Sequence, residues 1–476
     1  MSHILETTIK SGIDVVGISD IEIADDLLEL KYKNKLVFDS AFSRQLVSFQ
    51  SSKKEAQDRW YRFKEGFSST LVKHFLTKYP CGEGRLLDPF AGSGTSLFAA
   101  SDLGNDADGI ELLPIGQEII ESKLLLFREF TEGDFIILKK WIETKPWVSF
   151  NGSRILPELR ITNGAYPEDT KSEIERYCAC LDQEKPRIKK VLLFALLCIL
   201  EDISFTRKDG QYLRWDHRAS RSLGGKVFSK GTIKSFEPAI VSKLTEILKD
   251  STSYGKLPGL EFVPREVGKV KLHKGSCLEI MPSLKKEMYD VIITSPPYCN
   301  RYDYTRTYAL ELALLGSDEQ ELSSLRQQML SCTVENRSKN LQEMNPAWSG
   351  ILNKLEDNTL LKNILSYLEL QKSKKLLNNS GIPRMVRGYF YEMAALIFES
   401  HRVLTKDGLL VMVNDNVRYA GASISVDLIL CEVAEEVGFE VEKIIVLERG
   451  KGNSSQQMGI HGRKELRKCI YVWRKK

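Results

Sequence analysis

No apolar run in this 476-residue chain approaches the roughly 20 residues needed to cross a bilayer. The longest, VLLFALLCIL at 191–200, is about half that length and follows the basic KPRIKK, so it predicts a buried helix. The opening MSHILETTIKSG has no basic segment leading into an apolar one, so no secretory signal is expected. Cytoplasm is the expected location, with no membrane partner. Nine cysteines, an odd number scattered along a long chain, argue against a disulfide framework. Cys178 and Cys180 form a C-x-C with no second Cys or His pair beside it, so no metal site is expected. Internal repeats are absent too.

What is present is an ordinary globular composition, 42% hydrophobic and 28% charged, with an uneven charge distribution. Between 207 and 234 eight Lys/Arg stand against two Asp, and between 449 and 476 nine stand against one Glu. These stretches carry +6 and +8, so against a total of +4 the remainder carries −10. Basic segments on an acidic body point to a polyanionic partner.

Hydrophobic periodicity divides the chain. Residues 1–48 form an N-terminal extension without a usable motif. Within 49–125, RWYRFKEGFSSTLVKHFLTKY at 59–79 reads as an amphipathic helix with Ser68 or Ser69 as N-cap. RLLDPFAGSGTSLFAASDLG then gives strand, glycine-rich turn and helix, and DADGIELLP a second strand. This βαβ opening predicts an α/β, Rossmann-like doubly wound sheet. An insertion spans 126–267. The pattern resumes over 268–316, breaks for a second, helical insertion over 317–385, and completes over 386–476. In the last stretch TKDG reads as a turn, and the final two strands, joined by no helix, read as an antiparallel edge pair.

Two short motifs carry chemistry. In DPFAGSGTS (88–96), Gly92 and Gly94 permit a sharp turn off a strand and leave room for a ligand at the helix N-terminus. No lysine stands where a P-loop needs one, and Leu97 occupies the place of the third glycine of a dinucleotide fingerprint. The loop therefore suits a nucleoside without a phosphate chain. Glu111, about 20 residues on, is placed to accept ribose hydroxyls. In TSPPYCNRYDY (294–304), Pro296 and Pro297 hold an extended segment just outside a strand's carboxyl end. The Ser295 and Pro296 carbonyls and the Ser295 hydroxyl stand as acceptors beside the flat Tyr298, an arrangement suited to the amino group of an unstacked base.

Together DPFAGSGT and TSPPY resemble the amino-methyltransferases of DNA, which methylate exocyclic nitrogens using S-adenosylmethionine. The resemblance also takes in FKEGFS at 63–68, Glu111, VLTKDGLLVMVNDN and KCIYVW. It implies a seven-stranded methyltransferase sheet interrupted by two largely helical insertions. It implies direct methyl transfer to the amine of a flipped base, with Ser295, Pro296, Pro297 and Tyr298 as the catalytic motif. It implies S-adenosylmethionine bound by Lys64, Phe67 and Ser68, by Asp88, Pro89, Phe90, Ala91, Gly92, Gly94 and Thr95, by Glu111, and by Ser276 and Cys277. Ser276 stands where the family often has an acid. A serine opening the PPY motif goes mainly with N4-cytosine within the family. The alternatives are N6-adenine, an RNA amino-methyltransferase, and an inactive DNA-binding subunit of a defence complex. The implied partners are double-stranded DNA and a cognate restriction endonuclease or other defence proteins.

Within 126–267, the candidate target-recognition region, cations alternate with Tyr212, Trp215 and Phe228. Arg207, Lys208, Arg214, Arg218, Arg221 and Lys226, with Arg301 beyond the catalytic motif, are the expected nucleic-acid contacts.

Overall fold

The computed structural model describes residues 16–47, 55–56, 58–64, 66–79, 84–209, 212–221, 227–253, 267–448, 462 and 465–476. Among them run twelve strands: β1 (Leu36–Phe38), β2 (Arg85–Asp88), β3 (Asp106–Glu111), β4 (Thr206–Asp209), β5 (Tyr212–Trp215), β6 (Val270–Lys274), β7 (Tyr289–Thr294), β8 (Leu404–Asp415), β9 (Val417–Tyr419), β10 (Ala422–Ile424), β11 (Phe439–Val446) and β12 (Lys468–Lys475). The backbone forms two compact units, Ser43–Pro296 with Arg301–Met329, and Met1–Phe42 with Pro297–Asn300 and Leu330–Lys476. Each unit holds a sheet of four strands, eight in all among the described residues against the seven expected.

In the first unit β7, β2, β3 and β6 are parallel neighbours in that order. The YDVIIT run of β7 is apolar at nearly every position because helices cover both faces of such a sheet. Helix Thr95–Asp102 links β2 to β3, and helix Pro114–Leu124 follows β3, so the βαβ opening forms as expected. The amphipathic segment at 59–79 is helical only from Ser69 to Lys78. Ser68 caps it by accepting from the Leu71 amide at 3.4 Å, and the preceding aromatic residues run irregularly. VLLFALLCIL lies in helix Pro186–Ile203, with Pro186 at the first turn where its missing N–H costs nothing. Trp141, Trp147, Tyr177 and Phe236 pack edge-to-face and stacked at 5.3–5.8 Å to form the core of the insertion. β4 and β5, from its polar stretch, pair antiparallel as a hairpin.

In the second unit β1 pairs with β11 in parallel, and β12 lies antiparallel between β11 and β8. The last two strands are thus antiparallel, as expected, but β12 is not an edge. β1, from an extension in which the sequence offered no element, lies outside β11. The TKDG run is part of β8, with Asp407 at φ +63°. Helices Ile18–Tyr32, Ile382–Val403 and Val426–Val437 pack in this unit, and Tyr32 donates to Glu435 at 2.9 Å. Gly438, at φ +113°, ends the last of these helices in the left-handed conformation that a side chain would resist.

Candidate active site

The carboxyl ends of β2 and β7 are tied together. Asp88, the last residue of β2, accepts from the Thr294 hydroxyl at 2.7 Å, from the Phe90 amide at 3.0 Å and from the Ser96 hydroxyl. Burial pushes its carboxyl up to about 6, against the lowering effect of these three donors. Open α/β sheets bind ligands just beyond strand ends of this kind. Thr294 also precedes Ser295, so one carboxylate anchors both the glycine loop and the root of the proline motif.

Gly92 and Gly94 have φ of +54° and +79°, where L side chains are strained. The space beside them is not left for a ligand. A Cβ at Gly92 would lie 3.0 Å from Phe63, and one at Gly94 would lie 2.9 Å from Ile120 and 3.0 Å from Phe98. The glycines let the loop close against its own protein. Gly94 is also the N-cap of Thr95–Asp102 and offers no side-chain acceptor, so the first-turn amides are left for a ligand. Ala91 is buried and its amide donates to the Ile110 carbonyl at 2.9 Å; Pro89, Phe90 and Thr95 complete the turn.

Glu111, buried at the end of β3, accepts from the amides of Gly92 and Leu113, each at 2.7 Å. Burial pushes its carboxyl up to about 7 although these amides and that of Leu112 pull it down. With the Leu112 amide as a third donor to this carboxylate, one of about four acceptor positions remains for a ligand hydroxyl. Gly116 is required here, because a Cβ on it would come within 2.7 Å of both the Glu111 carboxyl and the Gly92 carbonyl oxygen. Lys123, 2% exposed, pairs with Asp58 at 3.1 Å and donates to the Ser93 carbonyl at 3.0 Å, bracing the loop from behind. Sequence reasoning missed both residues. A lysine between Ile119–Ile120 and Leu124–Leu126 was the available signal for the second.

Phe63 stacks on Tyr308 at 5.1 Å, and the Lys64 amide donates to the Tyr308 hydroxyl at 2.8 Å. Phe67 is buried, and Ser68 is committed to its cap and to the Leu46 carbonyl at 2.9 Å, so its hydroxyl is structural. At the end of β6, buried Ser276 donates to the Gln328 carbonyl at 3.0 Å, and Cys277 is buried beside it.

The chain passes into the second unit after Pro296. There Tyr298 is 3% exposed, with the Lys468 ammonium 5.1 Å over its ring and 3.5 Å from its hydroxyl. Lys468 in turn pairs with Asp415 at 3.3 Å. The tyrosine is thus packed inside its unit with a cation over its ring. The Cys299 carbonyl accepts from the Tyr419 hydroxyl at 2.7 Å, fixing the backbone after the motif. Complete burial pushes the Cys299 thiol well above its ordinary range, which disfavours the thiolate.

The expected nucleic-acid contacts separate into three kinds. Arg207 and Arg214 lie 5.8 Å and 4.1 Å over the Phe228 ring, and Arg221 lies 5.0 Å over Trp215, all with their charge at the surface, where Arg214 also pairs with exposed Asp209 at 3.6 Å. Arg218 grips buried Asp216 through bonds of 2.7 Å and 3.0 Å and is neutralised there. Lys208 cannot reach a phosphate, because it is 5% exposed and its ammonium pairs with buried Glu311 at 2.5 Å. Arg301 takes a left-handed backbone at φ +67°, and Lys226 lies outside the described residues. No cluster of three metal-ligating side chains occurs among the described residues, and none of their helices is long and apolar enough to cross a membrane.

Over 96% of its length the chain is 53% identical to the Type II methyltransferase M.AvaI of Nostoc sp. (strain PCC 7120), covering 94% of that protein. The chain belongs to the Type II DNA methyltransferases. It is also 38% identical to the Type II methyltransferase M.BsoBI of Geobacillus stearothermophilus, across 94% of this chain and 91% of the relative. No protein-family model matches it. Such a methyltransferase acts on DNA within a restriction-modification system, and its chemistry implies S-adenosylmethionine as methyl donor. The loop fits that group: an uncapped helix N-terminus, a buried carboxylate and glycines at positive φ lie together at the ends of β2 and β3.

Proposed function

We propose that this methyltransferase transfers a methyl group to the exocyclic N4 of a cytosine flipped out of DNA, protecting sites from a cognate restriction endonuclease. The observation that carries the proposal is the bond between Asp88 and Thr294, which joins the loop suited to the cofactor to the residue preceding Ser295. The serine at the head of the PPY motif favours cytosine over adenine.

When bound, S-adenosylmethionine supplies an electrophilic methyl on a sulfonium. Glu111 would accept from a ribose hydroxyl, and the first-turn amides after Gly94 would hold the amino-acid carboxylate. The Ser295 hydroxyl and the Pro296 carbonyl accept from the amine's N–H groups and orient its lone pair. Once methylated, the cationic amine is strongly acidic and loses its surplus proton to water. Tyr298 is the aromatic residue that would stack on the flipped base. No side chain needs to form a covalent bond, so catalysis consists of orienting two bound reactants.

Incubation of the protein with labelled S-adenosylmethionine and unmethylated plasmid, followed by mass spectrometry of the nucleosides, tests this. N4-methylcytosine is the expected product, abolished in Ser295→Ala. In Tyr298→Ala the KM for DNA should rise about 5- to 150-fold, the value of one base–aromatic stack. N6-methyladenine would replace the base assignment, label confined to RNA would replace the substrate, and no label would leave a DNA-binding subunit.

A further inference from the structure

We infer that Lys208, Glu311 and Tyr61 form a buried positioning device through which DNA bound at the β4–β5 hairpin tightens the hold on the cofactor. The inference rests on the assignments proposed above, of the cofactor to the glycine loop and of DNA to the arginines around the hairpin.

The three side chains come from distant parts of the first unit and meet almost out of reach of solvent. Lys208 leaves β4 and donates to Glu311 at 2.5 Å and to the Tyr61 hydroxyl at 2.9 Å. Tyr61 donates to the same Glu311 oxygen at 2.9 Å. The ammonium lies 4.8 Å from the Tyr61 ring and 4.9 Å from the Tyr308 ring. From there the connection to the loop is short. Tyr308 stacks on Phe63 and accepts from the Lys64 amide, Lys64 Nζ donates to the Lys208 carbonyl at 3.3 Å, and Phe63 fills the space beside Gly92. On the outer side, β4 and β5 carry Arg207 and Arg214, both over the Phe228 ring. A hairpin that faces phosphates is therefore wired through one buried ion pair to the residue that closes the glycine loop.

Stability alone does not account for the cluster. The second oxygen of Glu311 is buried with no hydrogen-bond partner, so the pair is not fully satisfied. Buried ion pairs of this kind are often replaceable by apolar residues of similar volume without loss of stability. A rigid polar link between two ligand-bearing elements gives each ligand a stake in the other's geometry, and that coupling is reciprocal.

The test measures S-adenosylhomocysteine affinity by calorimetry, with and without saturating unmethylated plasmid DNA. It compares the native protein with Tyr61→Phe/Lys208→Met/Glu311→Leu, which replaces the cluster by apolar side chains of similar size. DNA should tighten binding to the native protein by about fivefold or more, and to the triple variant by less than about twofold. Lys208→Arg, which keeps the charge, should retain part of the coupling. Native protein that binds both ligands without coupling, or a folded triple variant that keeps the native coupling, overturns the inference alone. Native protein that fails to bind S-adenosylhomocysteine overturns the cofactor assignment, and the inference with it.

Discussion

The Glu111 carboxylate and the Gly92 amide meet at 2.7 Å across nineteen residues of sequence, so the strand that ends in the acid also holds the glycine loop in shape. Burial raises this carboxyl from 4.5 to about 7, and the folded state therefore binds more protons than the unfolded chain between those values. The contribution is fully present below pH 4.5 and is lost as the pH rises through about 7. Thermal or denaturant unfolding of native protein against Glu111→Gln should show the native form losing up to about 3 kcal/mol relative to the variant across that window. Ribose hydroxyls favour the ionised form, so cofactor binding below pH 7 should release protons. Calorimetry of S-adenosylhomocysteine binding in buffers of different ionisation enthalpy measures that release.

Gly116→Ala brings a methyl group within 2.7 Å of both Glu111 and the Gly92 carbonyl. Overpacking of this kind costs about 1–3 kcal/mol, and because the displaced atoms are the loop itself, cofactor affinity should fall about tenfold or more. Gly350→Ala is the matching control, in helix Ser349–Glu356 with nothing within 4 Å of the added Cβ. It should leave binding unchanged and raise stability by about 0.5–1 kcal/mol through helix propensity. Melting curves together with binding isotherms separate the two effects.

The parts of the site legible in the sequence are those whose signal is local. DPFAGSGT and SPPY are contiguous, their glycines and prolines have one backbone meaning each, and the acid at 111 lies at a fixed distance along a βαβ unit. Ser68 as N-cap belongs to the same class. What was not legible depends on pairings between distant residues. Lys208 looked like a phosphate ligand because its neighbours are basic, but its partners Tyr61 and Glu311 lie 147 and 103 residues away. Lys468 over Tyr298, 170 residues on, was hidden for the same reason. The three-residue β1 is too short for any alternation to register, and its pairing with β11 is supplied by the fold.

Lys208→Met alone leaves Glu311 charged and unpaired inside the protein, which should cost about 3–5 kcal/mol. Adding Glu311→Leu and Tyr61→Phe removes the stranded polar groups and should recover most of that loss. Chemical denaturation of the single and triple variants measures the difference. A single variant as stable as the native chain would mean that the pair is solvated, contrary to its 4% and 0% side-chain exposure.

Salt dependence distinguishes the arginines that face DNA from the one that does not. Arg214 and Arg221 are held over aromatic rings at the surface, and removing one cation that neutralises a phosphate lowers the slope of log affinity against log salt by about 0.9. Among the described residues Arg214 pairs only with exposed Asp209, which a phosphate can displace, so Arg214→Ala with Arg221→Ala should flatten the slope by up to about 2 and weaken binding almost equally for all sequences. Arg218→Ala should leave the slope nearly unchanged, since its charge is already neutralised by Asp216, while destabilising the turn that it holds. Titration of labelled duplex between 50 and 200 mM salt, on the order of the range over which counterion release dominates, reads all three. Equal slopes for the native and doubly substituted proteins would remove the hairpin face from the DNA interface.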